Sequence, residues 1–208
     1  MTKNRVEQLF AASDGVGAFA DGYFAYLGDV LSRVDRSAIA SLVNALVAAR
    51  ENGRRIYILG NGGSAATAGH FANDLLVSVR PKGRPFLAQS LSENTATITA
   101  VSNDFGYENV FLKQLEHRVT TDDLVIAFSA SGNSPNVLKA VDYANTCGCL
   151  TVGFTGFDGG ELRRRCTLSI HVPTETGEYG PAEDAHLALE HMVTNYLMLR
   201  LRQPDSED

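Results

Sequence analysis

Residues 55–75 read RIYILGNGGSAATAGHFANDL, which is an apolar run, a glycine-rich turn and a longer mixed stretch. The apolar run, Arg55–Leu59, predicts a buried strand. We expect a helix to follow it over about residues 64–79. The glycines between strand and helix permit positive φ angles and close approach of the backbone. A strand that turns at once into a helix is the building unit of α/β folds, and this stretch therefore indicates that class.

The same alternation of strand and helix continues downstream. Four more strands are predicted, at Phe86–Leu91, Leu124–Phe128, Leu150–Phe154 and Leu168–Val172. Further helices are expected near 95–102, 107–118, 134–147 and 158–166, with a final one from about Ala182 to Leu201. Strict alternation gives a parallel sheet with helices on both faces. Ligands of such sheets bind beyond the carboxyl ends of the strands, so the loops that follow the strands are the places to look for chemistry.

Residues 1–53 differ from the rest of the chain because they contain many helix formers and few breakers. The segment Ile39–Arg50, IASLVNALVAAR, repeats apolar residues at three- and four-residue steps, which predicts an amphipathic helix. Val6–Val34 is expected to hold one or two more helices, with a break near Gly15 and Gly17. We interpret this segment as helical packing for the domain or for a partner subunit.

The length and charge of the chain limit its domain number and its partners. The 208 residues suffice for one sizeable α/β core and no linker divides them, so we predict a single domain over 1–208 with its core over 54–202. A net charge of −6 without a basic tract argues against nucleic acid and anionic membrane as partners. A phosphate ligand would have to be held locally, by backbone amides and hydroxyls.

The expected location is the cytoplasm. Three cysteines form an odd count without a spaced framework, which argues against a disulfide scaffold and for a reducing compartment. The N-terminal residues lack the apolar core of a signal peptide. No apolar run approaches the roughly 20 residues that a bilayer-spanning helix needs.

The loop after the third predicted strand is rich in hydroxyls and reads SASGNSP over residues 129–135. Pro135 suits a first helical turn and Ser134 suits its N-cap. Capping needs one hydroxyl, whereas three stand here beside a glycine, so the loop predicts a neutral phosphate site at a helix N-terminus. The first turn, over 60–64, is a weaker signal: it is either an anion site or a tight turn with Ser64 as N-cap.

Two stretches together, GNGGSAATAGHFANDL at 60–75 and SASGNSPNVLKA at 129–140, resemble the SIS-domain family. Within it, the chain is similar to the phosphoheptose isomerases. The similarity extends over roughly residues 40–200, and its further segments are SNDFGYENVFLKQLE at 102–116, VGFTGFDGGEL at 152–162 and EDAHLALEH at 183–191.

The resemblance implies a flavodoxin-like five-stranded parallel sheet flanked by helices, and a homotetramer with active sites at subunit contacts. It also implies conversion of sedoheptulose 7-phosphate to a glycero-manno-heptose 7-phosphate, the first step toward a nucleotide-activated heptose. By motif, the phosphate is expected at Ser129, Ala130, Ser131 and Ser134. Sugar contacts are expected at Asn61, Gly62, Gly63, Ser64, Asn103 and Asp104.

The resemblance also implies a metal site, because zinc-binding members use two pairs of residues on the first and last helices. The corresponding positions here are His70, Asp74, Glu183 and His191. Asp74 stands where the family has Glu, and Glu183 where it has Gln. These two departures touch the reacting end of the sugar. The neighbouring His186 and Glu190 are expected to face solvent or a subunit interface.

Aldose–ketose interconversion needs a base near two carbons and an acid or Lewis acid near their oxygens. Spacings of four and eight residues let each pair share one helix face, so two imidazoles and two carboxylates can meet at one point. One divalent ion, with Zn²⁺ the expected choice, would suit that set. Without metal, a carboxylate, Asp74 or Glu183, would be the base, and His191 would shuttle the hydroxyl proton.

Two alternative functions stay open at this point. Noncatalytic phosphosugar-binding regulators share the fold and the serine loop, and binding alone does not require Asp74, Glu183 and His191. The two departures from the family pattern also leave room for an isomerase of another sugar phosphate.

Overall fold

The computed structural model describes residues 3–80, 83–116 and 118–202. It begins with three helices: α1 (Arg5–Ala12), α2 (Val16–Ser32) and α3 (Arg36–Glu51). The Asn4 side chain accepts a hydrogen bond from the backbone of α1, and Asp35 does the same for α3, so both helices start at polar caps. The predicted helical segment and its break after α1 are confirmed.

Strands and helices alternate from residue 55 onward, as predicted. The strands are β1 (Arg55–Gly60), β2 (Leu87–Ser90), β3 (Leu124–Ser129), β4 (Leu150–Thr155) and β5 (Leu168–His171). The helices are α4 (Gly63–Asn73), α5 (Thr95–Phe105), α6 (Leu112–Leu115), α7 (Pro135–Thr146), α8 (Gly160–Arg165) and α9 (Tyr179–Arg200). A π-helical turn, Asp74–Ser78, follows α4, and a 3₁₀ turn, Tyr107–Asn109, precedes α6.

The five strands form one parallel sheet in the order β2-β1-β3-β4-β5. This is the flavodoxin-like order, and the expected fold class is confirmed. The chain leaves β1 toward one edge of the sheet and reaches β3 on the other side of β1. The loops after β1 and β3 therefore diverge at a topological switch point, which is where ligands of doubly wound sheets bind.

Helices cover both faces of the sheet, and the strands are buried on both sides. On one face, Ile56 and Ile58 of β1 pack with residues of α2, α3, α4 and α9. On the other, Tyr57 and Leu59 pack with residues of α5, α6, α7 and α8. The alternation follows the two-residue period of a strand. It fixes α4 and α9 on the same face, and this places their side chains within reach of each other.

Several boundaries differ from the sequence-based prediction, most of them by one to three residues. The final helix begins at Tyr179 instead of 182, because Pro181 lies in its first turn, where a backbone N–H has no helical partner to lose. The helix expected over 107–118 is a 3₁₀ turn followed by the short α6. The helix after β1 changes from α to π hydrogen bonding at Asp74, whose carbonyl accepts from the amide of Val79. Among the described residues, no helix is long and apolar enough to cross a membrane.

Candidate active site

The loop after β3, residues 129–134, is here called the serine loop. Its shape is fixed by its own hydrogen bonds: the Gly132 amide donates to Ser129 Oγ at 3.1 Å, and the Asn133 amide donates to Ser131 Oγ at 3.3 Å. Gly132 has φ +65°, and a Cβ there would collide with the carbonyl of Gly159. The loop is therefore held in one conformation before any ligand arrives.

Ser134 takes the N-cap position of α7, with Pro135 in the first turn, as the sequence predicted. Its side chain nevertheless makes no capping hydrogen bond. The hydroxyl instead lies 3.4 Å from Ser129 Oγ. Two neighbouring hydroxyls at a helix N-terminus are thus directed to the loop interior, where they can donate to a bound oxyanion.

The turn after β1 is not capped by Ser64, and that alternative is wrong. Gly62, with φ +55°, is the residue before α4, so Ser64 is already inside the helix and is buried. Asn61 exchanges two hydrogen bonds of 2.9 Å with the Asn136 amide of α7 and accepts one of 2.8 Å from Tyr107. These bonds tie the turn after β1 to the helix that follows the serine loop.

A cavity of about 130 Å³ lies between the two loops. It is lined by Asn61, Ser64, Phe128, Ser129, Ala130, Ser131, Ser134, Tyr179 and Glu183. None of these side chains carries a positive charge, and hydroxyls provide most of the donors. The structure thus brings together the predicted phosphate residues and two of the predicted sugar contacts, and the neutral lining agrees with the acidic composition of the chain. We refer to this space as the serine cavity.

Glu183 belongs to the serine cavity. Its carboxylate occupies the space that a Cβ on Gly63 would take, against the first turn of α4. Burial, and to a smaller extent the Asp184 carboxylate, raises the pKa of Glu183 above its usual range. Asn103 and Asp104, by contrast, are exposed, hydrogen-bond to each other at 2.8 Å and do not line the cavity.

A second group of side chains, the histidine cluster, comprises His70, Asp74, Glu190 and His191. Their nearest donor atoms all lie within 4.8 Å of one another. His70 Nε2 is 3.0 Å from His191 Nε2 and 3.7 Å from Asp74 Oδ1. Three of the four predicted metal ligands are thus brought together. Glu183 is not among them, and Glu190 takes part instead.

The serine cavity and the histidine cluster lie at two different positions along the adjacent helices α4 and α9. Gly63 of α4 meets Glu183 of α9, His70 meets His191, and Asp74 meets Thr194. In each of these pairs the residue number on α9 exceeds that of its partner by 120 or 121. The two helices therefore run side by side in the same direction. Seven residues separate Gly63 from His70, which places the cluster about 10 Å along the helices from the cavity.

Asp74 is held by hydroxyls on both carboxylate oxygens. Ser78 Oγ donates to Oδ1 at 2.9 Å, and Thr194 Oγ1 lies 3.3 Å from Oδ2. Asp74 opens the π-helical turn, a rare backbone feature that is frequent at functional sites. These contacts orient the carboxylate toward the two histidines.

Glu190 and His186 are completely buried, so the expectation that they face solvent or an interface is wrong. His186 packs edge-on against Phe128 and Phe154, and burial lowers its pKa to about 4. Burial, followed by repulsion from Asp74, raises the pKa of Glu190 to about 8. Glu190 lies seven residues after Glu183, a two-turn spacing that puts both on one helix face; that spacing was the available signal.

The donor set of the histidine cluster fits a divalent ion. Two imidazoles and two carboxylates are typical ligands of Zn²⁺. Neither carboxylate oxygen of Glu190 has a hydrogen-bond partner among the described residues, although the side chain is buried. A buried carboxylate of this kind is what an ion would satisfy.

A larger cavity of about 590 Å³, beside α2 and lined by Tyr26 and Arg33 among others, includes none of the predicted site residues.

Comparisons with known proteins agree with this site. Residues 22–156 match the SIS domain family. A phosphoheptose isomerase of Trichlorobacter lovleyi is 36% identical over 159 residues, which cover 76% of this chain and 80% of the relative. The structure of a phosphoheptose isomerase from Francisella tularensis superposes with a TM-score of 0.79 at 28% identity, over 86% of this chain and 96% of that one. For the phosphoheptose isomerase of Neisseria gonorrhoeae the TM-score is 0.80 at 25% identity, over 88% and 98%. The chain therefore belongs to the SIS domain family and, within it, to the phosphoheptose isomerases.

Proposed function

We propose that this protein interconverts sedoheptulose 7-phosphate and a glycero-manno-heptose 7-phosphate, and so supplies the synthesis of a nucleotide-activated heptose. The relatives' shared name supports the reaction. The observation that carries the proposal is the placement of an oxyanion-sized hydroxyl cavity and a histidine–carboxylate cluster on one helix pair, about 10 Å apart. A phosphate and a reacting carbon at opposite ends of one sugar would need that arrangement.

The serine cavity is the proposed site of the 7-phosphate. Ser129, Ser131 and Ser134 provide hydroxyls, and Ser64 adds another from α4. Hydrogen bonds to a charged group contribute about 1.5–3 kcal/mol each, so three or four of them can hold a dianion without a lysine or arginine. Glu183 lies in the same cavity, where burial and the Asp184 carboxylate raise the pKa of its carboxyl group.

The sugar chain is proposed to run along α4. An open cavity of about 520 Å³ follows this helix from Ala65 to Asn73 and reaches His70. Its polar lining includes Ser92 and Glu93, which can hydrogen-bond to hydroxyls of the chain. A seven-carbon sugar phosphate in extended form is long enough to place its phosphate among the serines and its first two carbons beside the cluster.

The proton transfers are assigned to the side chains at the cluster end. Asp74, fixed by Ser78 and Thr194, would remove the proton from C1 of the ketose and give a cis-enediolate with the negative charge on O2. His191 would move the hydroxyl proton from O1 to O2. The carboxylic acid of Asp74 would then return its proton to C2, which yields the aldose with no net loss of atoms. Glu183 would hold a proton at a sugar oxygen near the cavity.

His70, Asp74 and His191, together with a carboxylate of α9, would hold one divalent metal ion, and we propose Zn²⁺. When bound, the ion would polarise the substrate carbonyl and stabilise negative charge on its oxygen. The donor set and the unpartnered buried carboxylate support this assignment. Metal content by mass spectrometry, with activity after chelation and Zn²⁺ add-back, tests it; a metal-free protein indifferent to both treatments would contradict it.

The test of the reaction is a panel of C5–C7 ketose phosphates assayed for aldose formation. We expect sedoheptulose 7-phosphate to be converted with the highest kcat/KM. Conversion of a shorter ketose phosphate instead would reassign the substrate. Binding of these compounds without any aldose product would favour the noncatalytic regulator.

We also propose a homotetramer in the cytoplasm. The N-terminal helices leave large apolar side chains exposed, with Phe10 at 74%, Val16 at 85% and Phe24 at 68% exposure. Such a surface is expected to be covered by another copy of the chain. The three cysteines are unpaired, which suits a reducing compartment. Light scattering tests the assembly, and a monomer at micromolar concentration would contradict it.

A further inference from the structure

Glu190 stands out among the buried polar side chains. It is 0% exposed, and neither of its carboxylate oxygens has a hydrogen-bond partner among the described residues. Buried polar groups almost always have such a partner, and an unpaired carboxylate in the interior is strongly destabilising. Its neighbour Asp74, in the π-helical turn after α4, has hydroxyls on both oxygens. The chain therefore satisfies one carboxylate of the cluster and leaves the other open.

The distances around Glu190 are those between ligands of a common ion. Glu190 Oε1 is 3.6 Å from His191 Nε2 and 3.8 Å from His70 Nε2. Both separations are too long for hydrogen bonds. A tetrahedral ion with bonds of about 2.0–2.2 Å has ligand–ligand edges of about 3.3–3.6 Å. The separation from Glu190 to His70, and those from His70 to His191 and to Asp74, 3.0 Å and 3.7 Å, lie within a few tenths of an ångström of that range.

Glu183 does not share this environment. It lies seven residues, about 10 Å along α9, before Glu190, and its carboxylate rests against Gly63 at the other end of the helix pair. There it lines the serine cavity. A ligand role for Glu183 would require this side chain to leave the cavity wall, whereas Glu190 already faces the two histidines.

We propose that Glu190, and not Glu183, completes the protein ligand set of the divalent ion together with His70, Asp74 and His191. This inference rests on the metal site of the proposed function. It makes the ligand set two imidazoles and two carboxylates, which leaves no net charge when a divalent cation is bound. It also leaves Glu183 free to serve the substrate, so that the two acidic residues of α9 have separate tasks.

The test compares Glu190→Leu with Glu183→Leu, two changes seven residues apart on the same helix that each remove an oxygen donor at similar side-chain volume. Zn²⁺ is titrated calorimetrically into metal-free wild type and each variant. Removal of groups that only orient a ligand weakens metal affinity about 10–100-fold, so loss of a ligand should weaken it at least as much in Glu190→Leu. Affinity of Glu183→Leu should stay within about twofold of wild type, since its ligand set would be intact.

Co²⁺ provides a second readout, because its visible absorption reports coordination number and ligand type. We expect Glu190→Leu to alter the Co²⁺ spectrum and Glu183→Leu to leave it unchanged. Circular dichroism and thermal melting of the metal-free proteins serve as the folding control. Glu190→Leu replaces a buried acid by an apolar side chain, so the metal-free variant should melt no lower than wild type.

Four results would overturn the inference: weaker Zn²⁺ binding by Glu183→Leu alone, weaker binding by both variants, unchanged binding by both variants, or no binding by wild type. None of these measurements involves the sugar phosphate. An isomerase assay that failed while the Zn²⁺ difference persisted would reject the proposed reaction and keep the ligand assignment.

Discussion

The two ends of the α4–α9 helix pair differ in the kind of side chain that they present and in how those side chains are held. At the serine cavity, the donors are hydroxyls on loops whose shape is fixed by internal hydrogen bonds, and the lining carries no positive charge. At the histidine cluster, four ionisable side chains that are distant in sequence meet, and one of them, Glu190, has no hydrogen-bond partner among the described residues. The first end is complete without a ligand, whereas the second needs an ion or a proton to balance its charges.

Because the two ends differ in this way, substrate binding and turnover should be separable in this protein. Loop hydroxyls can contribute to affinity equally in the ground state and the transition state, which affects KM. Side chains that move protons act only along the reaction coordinate, which affects kcat. Each end can therefore be damaged with a characteristic kinetic result.

The largest effect is expected from His191→Ala. Loss of the proton shuttle and of one cluster ligand should lower kcat by at least about a hundredfold, the scale of general acid–base catalysis. Binding of sedoheptulose 7-phosphate, measured by calorimetry, should persist because the serine cavity is unchanged. Equal losses in binding and in kcat would remove the distinction between the two ends.

A smaller effect is expected from Ser131→Ala. One lost hydrogen bond to the phosphate should raise KM at least about tenfold, with kcat nearly preserved. Ser41→Ala is the matched control, since the exposed Ser41 hydroxyl donates within α3, to the Ser37 carbonyl. If Ser131→Ala has the KM of wild type, the phosphate does not bind in the serine loop.

The sequence predicted the serine cavity better than the cluster, for a physical reason. The cavity is made by two contiguous loops, and the strand–turn–helix pattern places both at one edge of the sheet. The cluster depends on how α4 and α9 are rotated about their axes, and Glu183 and Glu190 share a helix face. Helical spacing cannot choose between residues seven apart. Only the packing of α9 beside α4 shows which carboxylate reaches the histidines.

The sequence also did not indicate that the part of α9 between the two ends is buried. His186 is one turn from Glu183, yet it lies entirely inside, against Phe128 and Phe154. The polar-looking stretch EDAHLALEH therefore faces inward at several positions. The aromatic residues that cover His186 come from β3 and β4, which are distant in the chain.

The smallest expected effect concerns His186, between the two ends, and is measured as a change in the free energy of unfolding. Burial lowers the pKa of His186 to about 4, below the 6.5 of an ordinary histidine. The unfolded chain thus binds more protons between these values, so stability should fall as pH drops through 6.5 and level off near 4. Between pH 7 and pH 6 the loss should be about 0.7 kcal/mol. Urea unfolding of wild type and His186→Phe measures it; identical pH slopes would show that His186 does not titrate this way.

The most direct test of the account is a crystal structure with Zn²⁺ and sedoheptulose 7-phosphate bound, solved with a slow variant such as Asp74→Asn. We predict the phosphate in the serine cavity, the sugar chain along α4, and C1 and C2 beside His70 and His191. A phosphate in that cavity with the first two carbons directed toward the exposed Asn103 and Asp104 instead would contradict the claim that one helix pair serves both ends of the substrate.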